Sequence, residues 1–328
     1  MSSPRNLPLR VGVACWAIMM LALIVYSKYR QHLGGDRFVA LACVVGWLLG
    51  CEVIVASGGL LQKITDRVNR TMGAALITVP LLTYFVYAIG TRSFDWGRVG
   101  IAVAFCLLPT FVAASAGEKQ FGSWQDYVAL FLIFFPYWRG ILRQLWIYPD
   151  PAVRYTFSCM LAIQVGLVVF FLVRRADRTG YGYAWARGWT LVTVVCYLLA
   201  GVIIIPLSMK IHFVAFDPHR AHLSRLPLDM LGIFLFTAWG EEFFFRGLLQ
   251  NALQRTLRNE YVGWALASII FGFSHILHGH APNWKYVFLA SIAGVIYGFA
   301  WRKTGSMTVS ATIHMAVDVT WHQLFRTL

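Results

Sequence analysis

The chain has 328 residues, 59% of them hydrophobic and only 13% charged, whereas a soluble domain runs nearer half apolar and a quarter charged. In a soluble protein a net charge of +14 would suggest nucleic acid. Here the basic residues gather in short connections between apolar runs, such as Lys28 with Arg30, Arg174 with Arg175 and Arg178, and Arg302 with Lys303. Anionic headgroups and membrane topology account for that placement, so the expected partner is the lipid bilayer and no nucleic acid.

Windows of about 20 apolar residues, enough for a helix to cross a ~30 Å hydrocarbon core, recur from end to end. The predicted fold class is all-α, a polytopic transmembrane helical bundle of about ten or eleven spans. In chain order they fall near 9–27, 37–57, 72–91, 98–116, 126–147, 154–173, 186–207, 229–254, 261–278, 285–301 and 306–325. The N-terminal MSSPRNLPLR has no small-residue cleavage site, so the first run reads as a retained span. Glu52, in the second, reads as a structurally paired acid. The fifth carries Arg139 and Arg143 between Trp138 and Trp146, a pattern suited to an interfacial or re-entrant segment. All six cysteines lie in apolar runs without a CxxC and read as buried free thiols.

The longest polar connection, 208–228, divides the chain into accessory transmembrane helices, 1–207, and a catalytic transmembrane core, 225–328. Loop arginines and lysines bias this connection, and 279–284, toward the non-cytoplasmic side. After it comes Leu228–Leu253, LDMLGIFLFTAWGEEFFFRGLLQNAL, with Glu241, Glu242 and Arg246 in a run otherwise apolar except for Asp229. At about 2.5–3.5 kcal/mol each near a bilayer centre, three unpaired charges would cost roughly 8–10 kcal/mol. Glu242 and Arg246 stand at the favourable i,i+4 spacing and neutralise one another. Glu241 points about 100° away from Glu242 and must find its partner on another helix. Candidates follow downstream: His275, four residues after Phe271, and His314 with Asp318, again at i,i+4, with His322 continuing that face. A carboxylate on the same face can orient the imidazole and fix its tautomer.

Three motifs in order, EExxxR at Glu241–Arg246, FxxxH at Phe271–His275 and HxxxD at His314–Asp318, resemble the CPBP family of intramembrane glutamic endopeptidases, which includes type II CAAX prenyl proteases. The resemblance covers roughly 225–328. It implies hydrolysis of a peptide bond in a membrane-anchored protein or peptide, without cofactor or metal. In it Glu241 and His275 activate a water, His314 and Asp318 hold the oxyanion, and Glu242 and Arg246 support the architecture. Asp rather than Asn at 318 points to orienting His314 or sharing its proton, because an ionised carboxylate repels an oxyanion. The expected location is multi-pass in a membrane, taken as a bacterial plasma membrane.

Two rival readings stand beside this one. Glu241, His275, His314 and Asp318 form a possible zinc ligand set, with His278 and His280 nearby, although there is no HExxH. Intramembrane Glu, Asp and His also suit a transporter or proton relay, although no paired repeat of broken helices is visible.

Overall fold

A computed structural model describes residues 4–30, 32–151 and 153–328. Its architecture is all-α, and strands among the described residues are two or three residues long. The chain divides into two compact units, Asn6–Asp177 and Arg178–Leu328, the latter joined by Pro4 and Arg5. Residues 178–207, grouped above with the accessory spans, therefore lie in the second unit.

The first unit holds α1 (Leu9–Arg30), α2 (Gly35–Val53), α3 (Arg70–Gly90), α4 (Trp96–Ser115), α5 (Trp124–Trp138) and α6 (Val153–Val173), with short helices Leu60–Arg67 and Ile141–Leu145 between them. α6 is apolar all round and is buried on every side from Phe157 to Val173, as such a helix must be at the centre of a bundle. α1 is equally apolar but largely exposed, a face that only hydrocarbon satisfies. The fifth predicted span is a shorter helix: α5 ends at Trp138, and Gly140, at φ 71°, turns the chain into Ile141–Leu145.

Three expectations are corrected in this unit. Arg174, counted above among the loop cations, is buried, donating from Nε to Asp126 Oδ1 at 2.5 Å and from its terminal nitrogens to the carbonyls of Gly117 and Lys119. It thereby satisfies carbonyls beyond the end of α4, which have no partner within the helix. Glu52 is buried, but neither carboxylate oxygen has a hydrogen-bond partner; Gln164 gives its Nε2 to the neighbouring Cys51 Sγ. Of the cysteines, Cys15 and Cys43 are exposed rather than buried, because their helices turn those faces outward.

The second unit holds α7 (Trp189–Lys210), β1 (Val214–Phe216), α8 (226–256), α9 (Glu260–Phe273), α10 (Trp284–Thr304), α11 (Met307–Leu324) and β2 (Phe325–Thr327). Their starts are written locally. Pro227 opens α8, the Asn259 side chain accepts from Tyr261 N and Val262 N, and Asn283 accepts from Tyr286 N. Gly305, at φ 65°, ends α10 and lets the chain reverse into α11. β1 and β2 pair antiparallel, Val214 opposite Thr327 and Phe216 opposite Phe325, which fastens the 208–228 connection to the end of α11.

Among the described residues, six helices are long and apolar enough to cross a membrane: α1, α3, α4, α6, α7 and α10. α8 misses that standard because it carries Glu241, Glu242 and Arg246, and α11 carries His314, Asp318 and His322 among serines and threonines. The chain is an integral membrane protein, and the buried acidic, guanidinium and imidazole side chains of its second unit are Glu242 and Arg246 on α8, His275 after α9 and His314 on α11.

Candidate active site

α8 is not a uniform α-helix. Phe234–Ala238 and Phe243–Gln250 are wound in wider, i→i+5 turns, and the single α-helical turn between them is Trp239–Glu242. Such widened turns inside helices recur at functional sites, because they re-aim side chains without breaking the backbone ladder. Trp239 anchors the turn, fully buried against Tyr183 and Tyr181 at ring separations of 4.6 and 5.4 Å. Their loop is held in turn by Trp301 Nε1 donating to Thr179 O and by Met307 N donating to Gly180 O, each at 3.0 Å.

Glu241 and Glu242 diverge as helical geometry requires. Glu242, fully buried, accepts from Arg246 Nε at 3.1 Å, from Ser310 Oγ, and pairs through Oε1 with His314 Nδ1 at 3.0 Å. Glu241 turns the other way. Its Oε2 lies 4.0 Å from His275 Nε2 and 3.8 Å from His314 Nε2, and has no hydrogen-bond partner. The same His314 Nε2 also lies 3.5 Å from Asp318 Oδ2. The four expected site residues thus stand together, and Arg246 lies against Glu242 as its spacing predicted.

The imidazoles are fixed from behind. His275 follows the end of α9, with Nδ1 2.9 Å from Phe271 O and 3.2 Å from Ser274 Oγ. A carbonyl can only accept, so Nδ1 carries the proton and Nε2 shows a lone pair to Glu241. His314 stacks on Tyr297 at 4.6 Å with an interplanar angle of 18°, and meets the Phe271 ring edge-on at 5.8 Å. Phe271 also lies beneath the Arg246 guanidinium, 5.0 Å from its carbon. One ring therefore packs against the arginine and both histidines, which explains an aromatic residue one turn before His275.

Two contributors escaped the sequence reading. Ser310 stands one turn before His314 on the face that continues through Asp318, so its i−4 spacing was a usable signal. Tyr297 left none, since an aromatic residue in an apolar span is ordinary. The sequence expected Asp318 to orient His314 or to share its proton; Asp318 stands at Nε2, and Glu242 holds Nδ1, because α8 and α11 pack antiparallel and bring 242 opposite 314. No three His, Cys, Asp or Glu side chains among the described residues are grouped so as to hold a metal ion.

Close packing of α9 on α10 sets the height of His275. A Cβ on Gly272 would fall 1.9 Å from Ser291 Oγ and 2.5 Å from Val287 O, whereas one on Gly232 would meet nothing within 4 Å. Gly272→Ala should therefore destabilise by about 1–3 kcal/mol through overpacking. Gly232→Ala, the same change in open space, should stabilise by up to about 1 kcal/mol through helix propensity. Thermal unfolding of the two variants in one detergent checks the contrast; equal shifts would refute the close-packing account.

Fold and site define a helical integral membrane protein with a buried acid–imidazole cluster. Residues 223–320, which include every residue of that cluster, match the family model described as type II CAAX prenyl endopeptidase Rce1-like. This segment is similar to the CAAX-type proteases, in agreement with its three motifs. Comparison with curated proteins and with solved structures finds no match.

Proposed function

We propose that the chain is an intramembrane endopeptidase that hydrolyses a peptide bond of a membrane-anchored protein or peptide with a water activated by Glu241 and His275, without a metal. The observation that carries this reading is the unpartnered Glu241 Oε2 facing two imidazole nitrogens at 4.0 and 3.8 Å. These separations are too long for direct hydrogen bonds and suit a group held between them. A water there donates one proton to Glu241 and the other to His275 Nε2, which leaves its lone pair free to attack a carbonyl carbon.

As the C–O bond forms, Glu241 takes the water proton and the carbonyl electrons move onto oxygen. His314, tied through Nδ1 to Glu242, presents Nε2 to the same opening; protonated there, it donates to the oxyanion, with Asp318 alongside to steady the imidazolium. Glu241 then returns its proton to the departing amine as the C–N bond breaks. Arg246 keeps Glu242 ionised within the bundle, and the second unit, 178–328, serves as the catalytic core.

The test uses the full chain in lipid nanodiscs with internally quenched, lipid-anchored peptides. His275→Ala should lower turnover by about 10²–10⁴-fold, the usual worth of an acid–base group, and EDTA or phenanthroline should leave wild-type turnover unchanged. Loss with chelator that zinc restores would replace this reading with a metalloprotease. Proton flux without any cleavage would replace it with a relay.

A further inference from the structure

The Tyr297 ring lies nearly flat on the His314 imidazole, 4.6 Å away at an interplanar angle of 18°. Its hydroxyl has no hydrogen-bond partner among the described residues. We propose that this hydroxyl is a second donor to the oxyanion, acting beside His314 Nε2 when a carbonyl is attacked. The inference rests on the reading of the Glu241 cluster as hydrolytic, and it adds a catalytic residue that the three motifs do not contain.

The backbone around Tyr297 is seated from two sides. Ser310 Oγ donates to Tyr297 O at 3.0 Å, and Gln250 Nε2 donates to Gly298 O at 3.3 Å. Gly294 and Gly298 let α10 come this close. A Cβ on Gly298 would fall 2.6 Å from Gln250 Oε1, and one on Gly294 would fall 3.1 Å from the Phe271 ring. The tyrosine ring is buried, flat on His314 and edge-on to Phe271 at 6.1 Å. A phenol is longer than an imidazole, so in such a stack its hydroxyl projects past one edge of the histidine. Asp318 acts on that hydroxyl more strongly than any other charged group, ahead of Glu242 and Glu241. Asp318 stands at Nε2 and Glu242 at Nδ1, so the hydroxyl projects from the Nε2 edge, toward the partly exposed Glu241 and Asp318.

A neutral donor is what the cluster lacks at this point. Glu241, Glu242 and Asp318 surround His314, so negative charge forming on a carbonyl oxygen there meets carboxyl groups on several sides. The serine hydroxyls nearby are already committed: Ser310 to Glu242, Ser274 to Phe271 O and Ser291 to Val287 O. A phenol without a partner in the resting site has no hydrogen bond to break. Its bond to the oxyanion is therefore gained only as the charge develops, which is where a donor accelerates the reaction. The phenol keeps its proton throughout; Glu241 still takes the water proton and later gives it to the departing amine.

Tyr297→Phe keeps the ring and removes only the hydroxyl. In the full chain in lipid nanodiscs it should lower kcat for a quenched, lipid-anchored peptide by about 10²–10³-fold, the usual loss for one oxyanion donor. KM should stay unchanged, because the bond is absent from the ground state. A phosphonate in place of the scissile amide gives the same peptide a tetrahedral, anionic centre. Its affinity should fall by about tenfold or more in the variant. The intact amide, measured on Glu241→Gln with and without Tyr297→Phe, should bind equally. Thermal unfolding should show no loss, since the hydroxyl leaves no partner unpaired. Wild-type kcat in Tyr297→Phe would overturn the donor role and leave the hydrolytic reading standing. A fall in kcat without a fall in phosphonate affinity would also overturn it, as would a large drop in melting temperature, which marks a packing role. A wild type that cleaves nothing would overturn the donor role together with the hydrolytic reading.

Discussion

Glu241→Gln should reduce peptide cleavage by about 10²–10⁴-fold while leaving the protein as stable as the wild type or more so. The two halves of this result have the same cause. Glu241 Oε2 is buried without a hydrogen-bond partner, so the carboxylate contributes no hydrogen bond through that atom and bears a desolvation cost. A neutral amide of the same shape lowers that cost and cannot accept a proton from water. Groups held in unfavourable surroundings for chemistry commonly show this opposition between activity and stability. The measurement pairs turnover of a quenched lipid-anchored peptide with thermal unfolding in the same detergent. Wild-type turnover would end the general-base assignment. A large drop in melting temperature would show that Glu241 serves the packing instead.

The sequence carried much of this site because most of its information is local. Glu242 with Arg246, Phe271 with His275 and His314 with Asp318 are each one helical turn apart, and helical geometry alone puts each pair on one face. The cost of lone charges in a membrane then implied that the faces meet. What the sequence lacked was the register between helices. Only the antiparallel seating of α8 on α11 shows that Glu242 takes His314 Nδ1 and leaves Asp318 to Nε2. The widened turns on either side of Trp239–Glu242 were equally hidden, since neither holds a Pro and the one glycine there, Gly247, sits well inside its segment. The apolar runs announced a membrane bundle, but Arg174 shows the limit of charge counting: a cation at a span end was bound to Asp126 inside the protein.

Glu242→Gln should damage both stability and turnover, and a second substitution should separate the two. Glu242 accepts from Arg246, Ser310 and His314 with no solvent exposure, and the Arg246 terminal nitrogens have no hydrogen-bond partners of their own. Removing the carboxylate charge leaves a guanidinium buried without its counter-ion, which costs about 3–5 kcal/mol. Replacing Arg246 as well, in Glu242→Gln with Arg246→Met, removes the stranded charge, so most of that stability should return. Turnover should not return with it. His314 would still face a neutral amide in place of the anion that steadies its protonated form, and the donor to the oxyanion would stay weakened. The double variant should therefore unfold close to the wild-type temperature and cleave about as poorly as the single one. The stability effects are then strongly non-additive, as expected for residues in one network. If stability and turnover recover together, Glu242 acts only as the counter-ion of Arg246, and the orientation of His314 rests on Asp318 after all.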